Sequence, residues 1–199
     1  MMPSRGLSSL FAASLAALWL NGCATGGAPT THYTLPDAPL PADATDASAD
    51  RLLVIRPIRL ARYLDVEGIV FQLDDITVRQ AREHQWAEPL GRQLERGLRD
   101  RLASRLSDTR IMLDDDTQRG DAPLSLRLEV DRFQGRHDGM AVAEGRWQLR
   151  DTDGKLLALT PFSLTTPLET DGYPALIQAL GRDLDRLADQ LALEIERLR

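Results

Sequence analysis

Leucine recurs every fourth residue through Leu90, Leu94, Leu98, Leu102 and Leu106, and this stripe constrains the fold more than any other feature of the chain. A spacing of four places those side chains on one face of an α-helix, and such a face is stable only when a second layer covers it. Ile177, Leu180, Leu184, Leu187, Leu191 and Leu198 form another stripe at spacings built from three and four. Asp183, Asp185, Arg186, Asp189 and Glu196 are expected on the surface of that helix. Pro89 precedes the first helix, where its missing N–H costs nothing.

The covering layer is read from apolar runs bounded by turn residues. Residues 52–58 begin with the continuous run Leu52-Leu53-Val54-Ile55 and read as a central strand. Residues 69–73 and 76–80 flank Asp74-Asp75 and read as a hairpin. A short strand at 111–113 follows the first helix. Leu124, Leu126, Leu128 and Val130 alternate with polar residues, as do Ala141, Ala143, Gly145, Trp147 and Leu149 with theirs. Asp151-Thr152-Asp153-Gly154 then turns the chain into a last strand at 155–165. These elements predict one α+β domain over residues 51–199, with a mostly antiparallel sheet of about six strands and two long helices packed on one face.

The N-terminus carries an export signal. Arg5 precedes an apolar stretch of about 14 residues from Leu7 to Leu20, shorter than the roughly 20 needed to span a bilayer. Leu20-Asn21-Gly22-Cys23 ends that stretch on the only cysteine of the chain and resembles a bacterial lipobox, in which the thiol is acylated and the peptide cut before it. Residues 1–22 therefore read as a lipoprotein signal peptide and Cys23 as the site of lipidation by palmitate-type chains. Two or three chains hold a protein to a membrane essentially permanently, where one does not. Ala24 follows the cysteine in place of the aspartate that retains enterobacterial lipoproteins at the inner membrane. It is the sorting residue, and it points to the periplasmic face of the outer membrane. Residues 23–50 are rich in Ala, Thr, Pro and Asp and read as the lipidated N-terminus and a flexible tether. The β-prone Tyr33-Thr34-Leu35 is the exception and is expected to add an edge strand.

Charge and chemistry exclude several function classes. Loss of residues 1–22 removes Arg5 and no acidic residue, leaving 23 basic against 30 acidic side chains and a net charge of −7. Nucleic acids and anionic lipid surfaces both require clustered positive charge. A single cysteine permits no internal disulfide. His32, His84 and His137 lie far apart, and neither a metal-binding motif nor a hydrolase, phosphate-loop or dinucleotide signature is present. Asp114-Asp115-Asp116 lacks the alternation and glycine of a calcium loop and reads as a solvated turn. The expectation is a non-enzymatic protein with no metal and no cofactor.

Large side chains next to turn residues mark two places for a partner. Tyr63 and Leu64 follow the first strand, while Trp86 and Glu88 lead into the first helix at Pro89. All four are candidate partner-binding residues. For Trp86 and Glu88 a structural role at the helix start competes: the indole packs beneath it, and the carboxylate favours the positive end of the helix dipole.

Trp86-Ala87-Glu88-Pro89-Leu90, the upstream Tyr63-Leu64-Asp65, the opening Tyr33-Thr34-Leu35-Pro36 and the lipobox, in this order and spacing, resemble the PqiC family of ABC-type transport auxiliary lipoproteins. The likeness takes in Trp147 and the Gly154 turn and departs at Val66-Glu67, where relatives often carry a basic residue and proline. It implies a lipid-anchored periplasmic subunit of an MCE-type intermembrane lipid transport system, which docks a hydrophobic tunnel of MCE-domain protein at the outer membrane. It further implies a role in envelope integrity, with ATP handled by other subunits. A symmetric tunnel is most simply capped by a homo-oligomer of its partner. The alternative is a structural or assembly lipoprotein serving an outer-membrane protein or a polymer export machine.

Overall fold

A computed structural model of the chain describes residues 29–38, 51–114 and 124–198. Cys23, Ala24 and the acidic residues Asp115 and Asp116 lie outside them. Among the described residues nine strands and two long helices form an α+β unit. The strands are β1 (Thr31–Tyr33), β2 (Arg51–Ile55), β3 (Arg59–Leu60), β4 (Gly68–Gln72), β5 (Val78–Trp86), β6 (Thr109–Leu113), β7 (Leu124–Arg136), β8 (Met140–Arg150) and β9 (Leu156–Pro167). The helices are α1 (Leu90–Ala103) and α2 (Tyr173–Arg197).

The nine strands belong to one mixed sheet, which corrects the expectation of six mostly antiparallel ones. β7 is its spine. Along one edge it pairs antiparallel with β8, which pairs antiparallel with β9. Along the other it meets β2, β3 and β4 in succession, all parallel to it. β6 joins β2 in parallel, β5 joins β4 antiparallel, and β1 joins β5 in parallel. Parallel pairs need long connections. That between β2 and β6 contains the β4–β5 hairpin and α1, so it is invisible to any local reading. A register shift between Val130 and Arg132 marks where β7 passes from β3 to β4.

Both helices lie on one face of the sheet. Leu94 of α1 and Leu184 and Leu187 of α2 close over Leu128, Val130 and Phe133 of β7, Ala143 of β8 and Phe162 of β9. The first stripe is buried from Leu90 to Leu106, and the second from Ile177 to Leu191. Leu198, expected to end that stripe, is exposed beyond the last helical turn. The Gly154 turn forms as expected: its φ is +80°, and the Asp151 carboxylate accepts the N–H groups of Asp153 and Lys155 at 2.9 Å each.

The tether expected over residues 23–50 is interrupted by a docked segment. β1 occupies the sheet edge, and the chain beyond it runs between the helices with Leu35 and Ala38 buried. Gln93 of α1 accepts the Leu35 N–H at 2.8 Å, and Gly181 of α2 lets Pro36 lie flat against the helix, where a Cβ would meet the proline ring at 2.9 Å. The guanidinium of Arg101, 1% exposed, completes the clasp. It donates to Asp185 Oδ1 at 2.7 Å, to Pro36 O at 2.9 Å and to Gly97 O at 3.1 Å. Among the described residues, 31–38 thus pack with the unit that continues from residue 51.

Removing a partner from a buried, hydrogen-bonded charge costs about 3 to 5 kcal/mol. Arg101→Ala should lower stability by roughly that amount in urea denaturation, and Asp185→Asn by less, because the Asp185 side chain is 41% exposed and keeps its water.

Candidate partner-binding groove

The β3–β4 loop and the junction from β5 into α1, singled out separately in the sequence, come together in space. Trp86 N–H donates to Glu67 O and Ala87 N–H to Tyr33 O, each at 2.8 Å, so loop, junction and edge strand are fastened by backbone bonds. Between them opens a groove of about 380 Å³ lined by residues 65–67 and 85–90, with His32 at its side. Asp65, Glu67 and Glu88 are exposed on its walls, and no lysine or arginine lines it. Its field is therefore negative. Glu88 makes a two-pronged pair with Arg96 at 2.6 and 2.8 Å, and these hydrogen bonds hold its carboxyl below the usual range.

The four candidate contact residues fare differently. Glu88 is exposed at the groove. Leu64, 1% exposed, is part of the core, because the loop folds inward with its N–H on Ala61 O at 2.8 Å. Trp86 is also buried, its ring 6.5 Å from that of Phe133, so it supports the helix start and contributes to the groove's floor. Neither side chain projects toward a partner as expected. Tyr63 is half-buried, and its hydroxyl donates to Asp131 O at 2.7 Å, pinning the loop to the irregular stretch of β7. Burial pushes that hydroxyl's pKa up, opposed by nearby Arg132. Trp86, expected beside a turn, is instead the last residue of β5, after His84 and Gln85. His84 accepts or shares the Tyr33 hydroxyl proton at 3.0 Å and stacks on Tyr173 at 4.0 Å.

Asp65 and Glu67 were not among the candidates, although both stand beside the Tyr63-Leu64 motif. Their signal is the accumulation of carboxylates around two adjacent turns, of which Glu88 is paired with Arg96. Among the described residues no group of three His, Cys, Asp or Glu side chains is placed to hold a metal ion. No described helix is long and apolar enough to cross a membrane.

One titratable group is sharply out of place. Asp183, expected on the surface, is fully buried on the inner face of α2, where it adjoins the apolar side chains between helices and sheet. Thr166 hydroxyl donates to Oδ1 at 2.6 Å and Arg186 Nη1 approaches it at 3.3 Å, while Oδ2 has no partner. Burial raises its pKa, against the lowering effects of Thr166 and Arg186. The apolar surroundings make it a structural group with no access for a reactant.

The description "ABC-type transport auxiliary lipoprotein component" matches residues 33–192, from β1 through most of α2. The chain belongs to that family. The auxiliary lipoprotein is 31% identical over 185 residues to the intermembrane transport lipoprotein PqiC of Escherichia coli K12, covering 93% of this chain and 96% of the relative. The Shigella flexneri protein of the same name matches equally. Among solved structures, an uncharacterized protein at 28% identity superposes with a TM-score of 0.73 over 84% of this chain and 99% of the other. A Xanthomonas campestris protein at 20% identity, TM-score 0.64, covering 81% of this chain and 92% of that one, shares the fold. The two PqiC proteins are named as transport lipoproteins rather than enzymes. The family match begins at Tyr33, so it takes in the docked segment.

Two outcomes follow from these placements. Leu64→Asp puts a carboxylate in the core and should cost several kcal/mol, visible as a large drop in melting temperature, while Glu88→Gln melts within a few degrees of the parent. Asp183 has its pKa raised above the ordinary 3.8, so the folded state binds more protons above that value and its stability falls as pH rises through the window between the two pKa values. Relative to the parent, Asp183→Asn should gain stability with rising pH, and the gain should vanish as pH falls below about 3.8.

Proposed function

We propose that this auxiliary lipoprotein is the outer-membrane-anchored periplasmic subunit of an MCE-type intermembrane lipid transport system. The observation that carries the reading is the nearly end-to-end likeness to PqiC, whose name assigns it to intermembrane transport. In this reading Cys23 carries the acyl chains, Ala24 releases the protein to the outer membrane, and the folded domain docks the MCE tunnel protein. The docking site is the groove between the β3–β4 loop and the β5–α1 junction. Its three carboxylates select a basic segment of the partner, and its backbone-fastened walls need no rearrangement to receive one. Several copies of the chain around the tunnel would repeat the same contact.

Rim charges act mainly on association rate and salt dependence. The full-length lipoprotein carrying Glu67→Lys and Glu88→Lys should bind the MCE protein roughly tenfold more weakly at low salt, with the difference shrinking as salt screens it. Unaltered binding by the double variant would move the contact elsewhere. Failure of the parent protein to bind MCE protein at all would favour an assembly role instead. Cys23→Ala should abolish acylation, read as loss of the acyl mass on intact protein.

A further inference from the structure

A second concavity, of about 290 Å³, lies at the other end of β5, and its chemistry is the reverse of the groove's. Arg79 lines the cleft and Trp86 the groove, so the two sites draw on opposite ends of the strand. Phe71 of β4 and Leu73 just past its end, together with Leu168 and Leu176, make the cleft apolar. Tyr173 forms one wall and is held there by its stack on His84. The only charged side chain on the cleft is Arg79, which is exposed and has no ion pair among the described residues.

The start of α2 opens onto the same cleft through Gly172 and Tyr173. Gly172 has φ +107°, the helix has no side-chain cap and no acidic residue in its first turn, and Pro174 has no N–H. The N–H groups of Tyr173 and Ala175 are thus left to an outside acceptor, at the positive end of a 25-residue helix dipole. Asp171, just outside the cap, is the opposing charge. An apolar hollow with a guanidinium and helix N–H groups at its mouth matches a molecule with an anionic head and a hydrocarbon tail.

We propose that this cleft binds one anionic phospholipid, its phosphate against Arg79 and the start of α2 and part of an acyl chain along Phe71, Leu73 and Leu176. The volume sits at the small end of ligand sites, enough for a stretch of one chain. A single lipid fits better than a bilayer surface. Ile76 at the hairpin tip is 94% exposed, but Asp74 beside it accepts the Ile76 and Thr77 N–H groups at 2.9 and 2.8 Å and stays ionised, which opposes insertion among anionic headgroups.

The test is native mass spectrometry of the full-length protein in an uncharged detergent, titrated separately with dioctanoyl phosphatidylglycerol, dioctanoyl phosphatidylcholine and inorganic phosphate. The expected result is a one-to-one phosphatidylglycerol adduct, about tenfold less phosphatidylcholine at equal concentration, and no phosphate adduct. Arg79→Glu and Leu73→Asp, both at the surface of the cleft, should each reduce the phosphatidylglycerol adduct about tenfold, and Asp171→Asn should increase it. Glu67→Lys with Glu88→Lys should leave it unchanged, which separates this site from the partner groove. Equal adducts with the zwitterionic lipid, an adduct with phosphate alone, or undiminished binding by Arg79→Glu would each overturn the proposal.

Discussion

The buried guanidinium of Arg101 holds together the parts of this domain that local sequence does not. A cation withdrawn from water must have its N–H groups satisfied, and here the acceptors come from both helices and the N-terminal segment. Its carboxylate partner remains partly in water, so the pair avoids the full penalty of burying two charges. The geometry fixes the separation of α1 and α2 and draws residues 33–38 into the seam between them. That seam orients β1 against β5, which in turn sets one side of the acidic groove.

β7 plays the equivalent part in the sheet. Thirteen residues long, it is the common neighbour of four strands, and its register shift at Val130 lets β3 leave and β4 enter on the same edge. The intervening residues cannot stay in the plane of the sheet. They turn inward at Leu64 and are pinned by the Tyr63 hydroxyl, which presents Asp65 and Glu67 outward. The negative groove is thus a by-product of how one strand changes partners.

What the sequence shows clearly is whatever repeats locally. The two stripes locate α1 and α2, and alternation locates β7 and β8, because each pattern is set by the geometry of a single element. Even Asp183 is visible in this way: three residues after Leu180 and four before Leu187, it falls on the buried face, and only its charge suggests otherwise. The second half of β5 is obscured because it has little to bury beyond Ala81 and Trp86, so the strand reads as ending at Gln80. Parallel pairing is hidden for a different reason, since it depends on where distant strands meet. The size of Leu64 and Trp86 suggested contact surfaces, but a large apolar side chain beside a turn is as readily a core residue whose loop folds back.

Docking of residues 31–38 also determines how the domain explores space. From Cys23 to Thr31 there are eight Cα–Cα links, which extend to at most about 29 Å. A domain on the proposed anchor is then confined to a half-sphere of that radius, equivalent to a concentration on the order of 10 mM for anything fixed beside the same lipid. By the same measure, a leash extending to residue 50 would dilute it roughly fortyfold. Encounter with a membrane-seated partner becomes a search in two dimensions, in which even a millimolar intrinsic contact is mostly occupied once the two lipidated or embedded feet are neighbours.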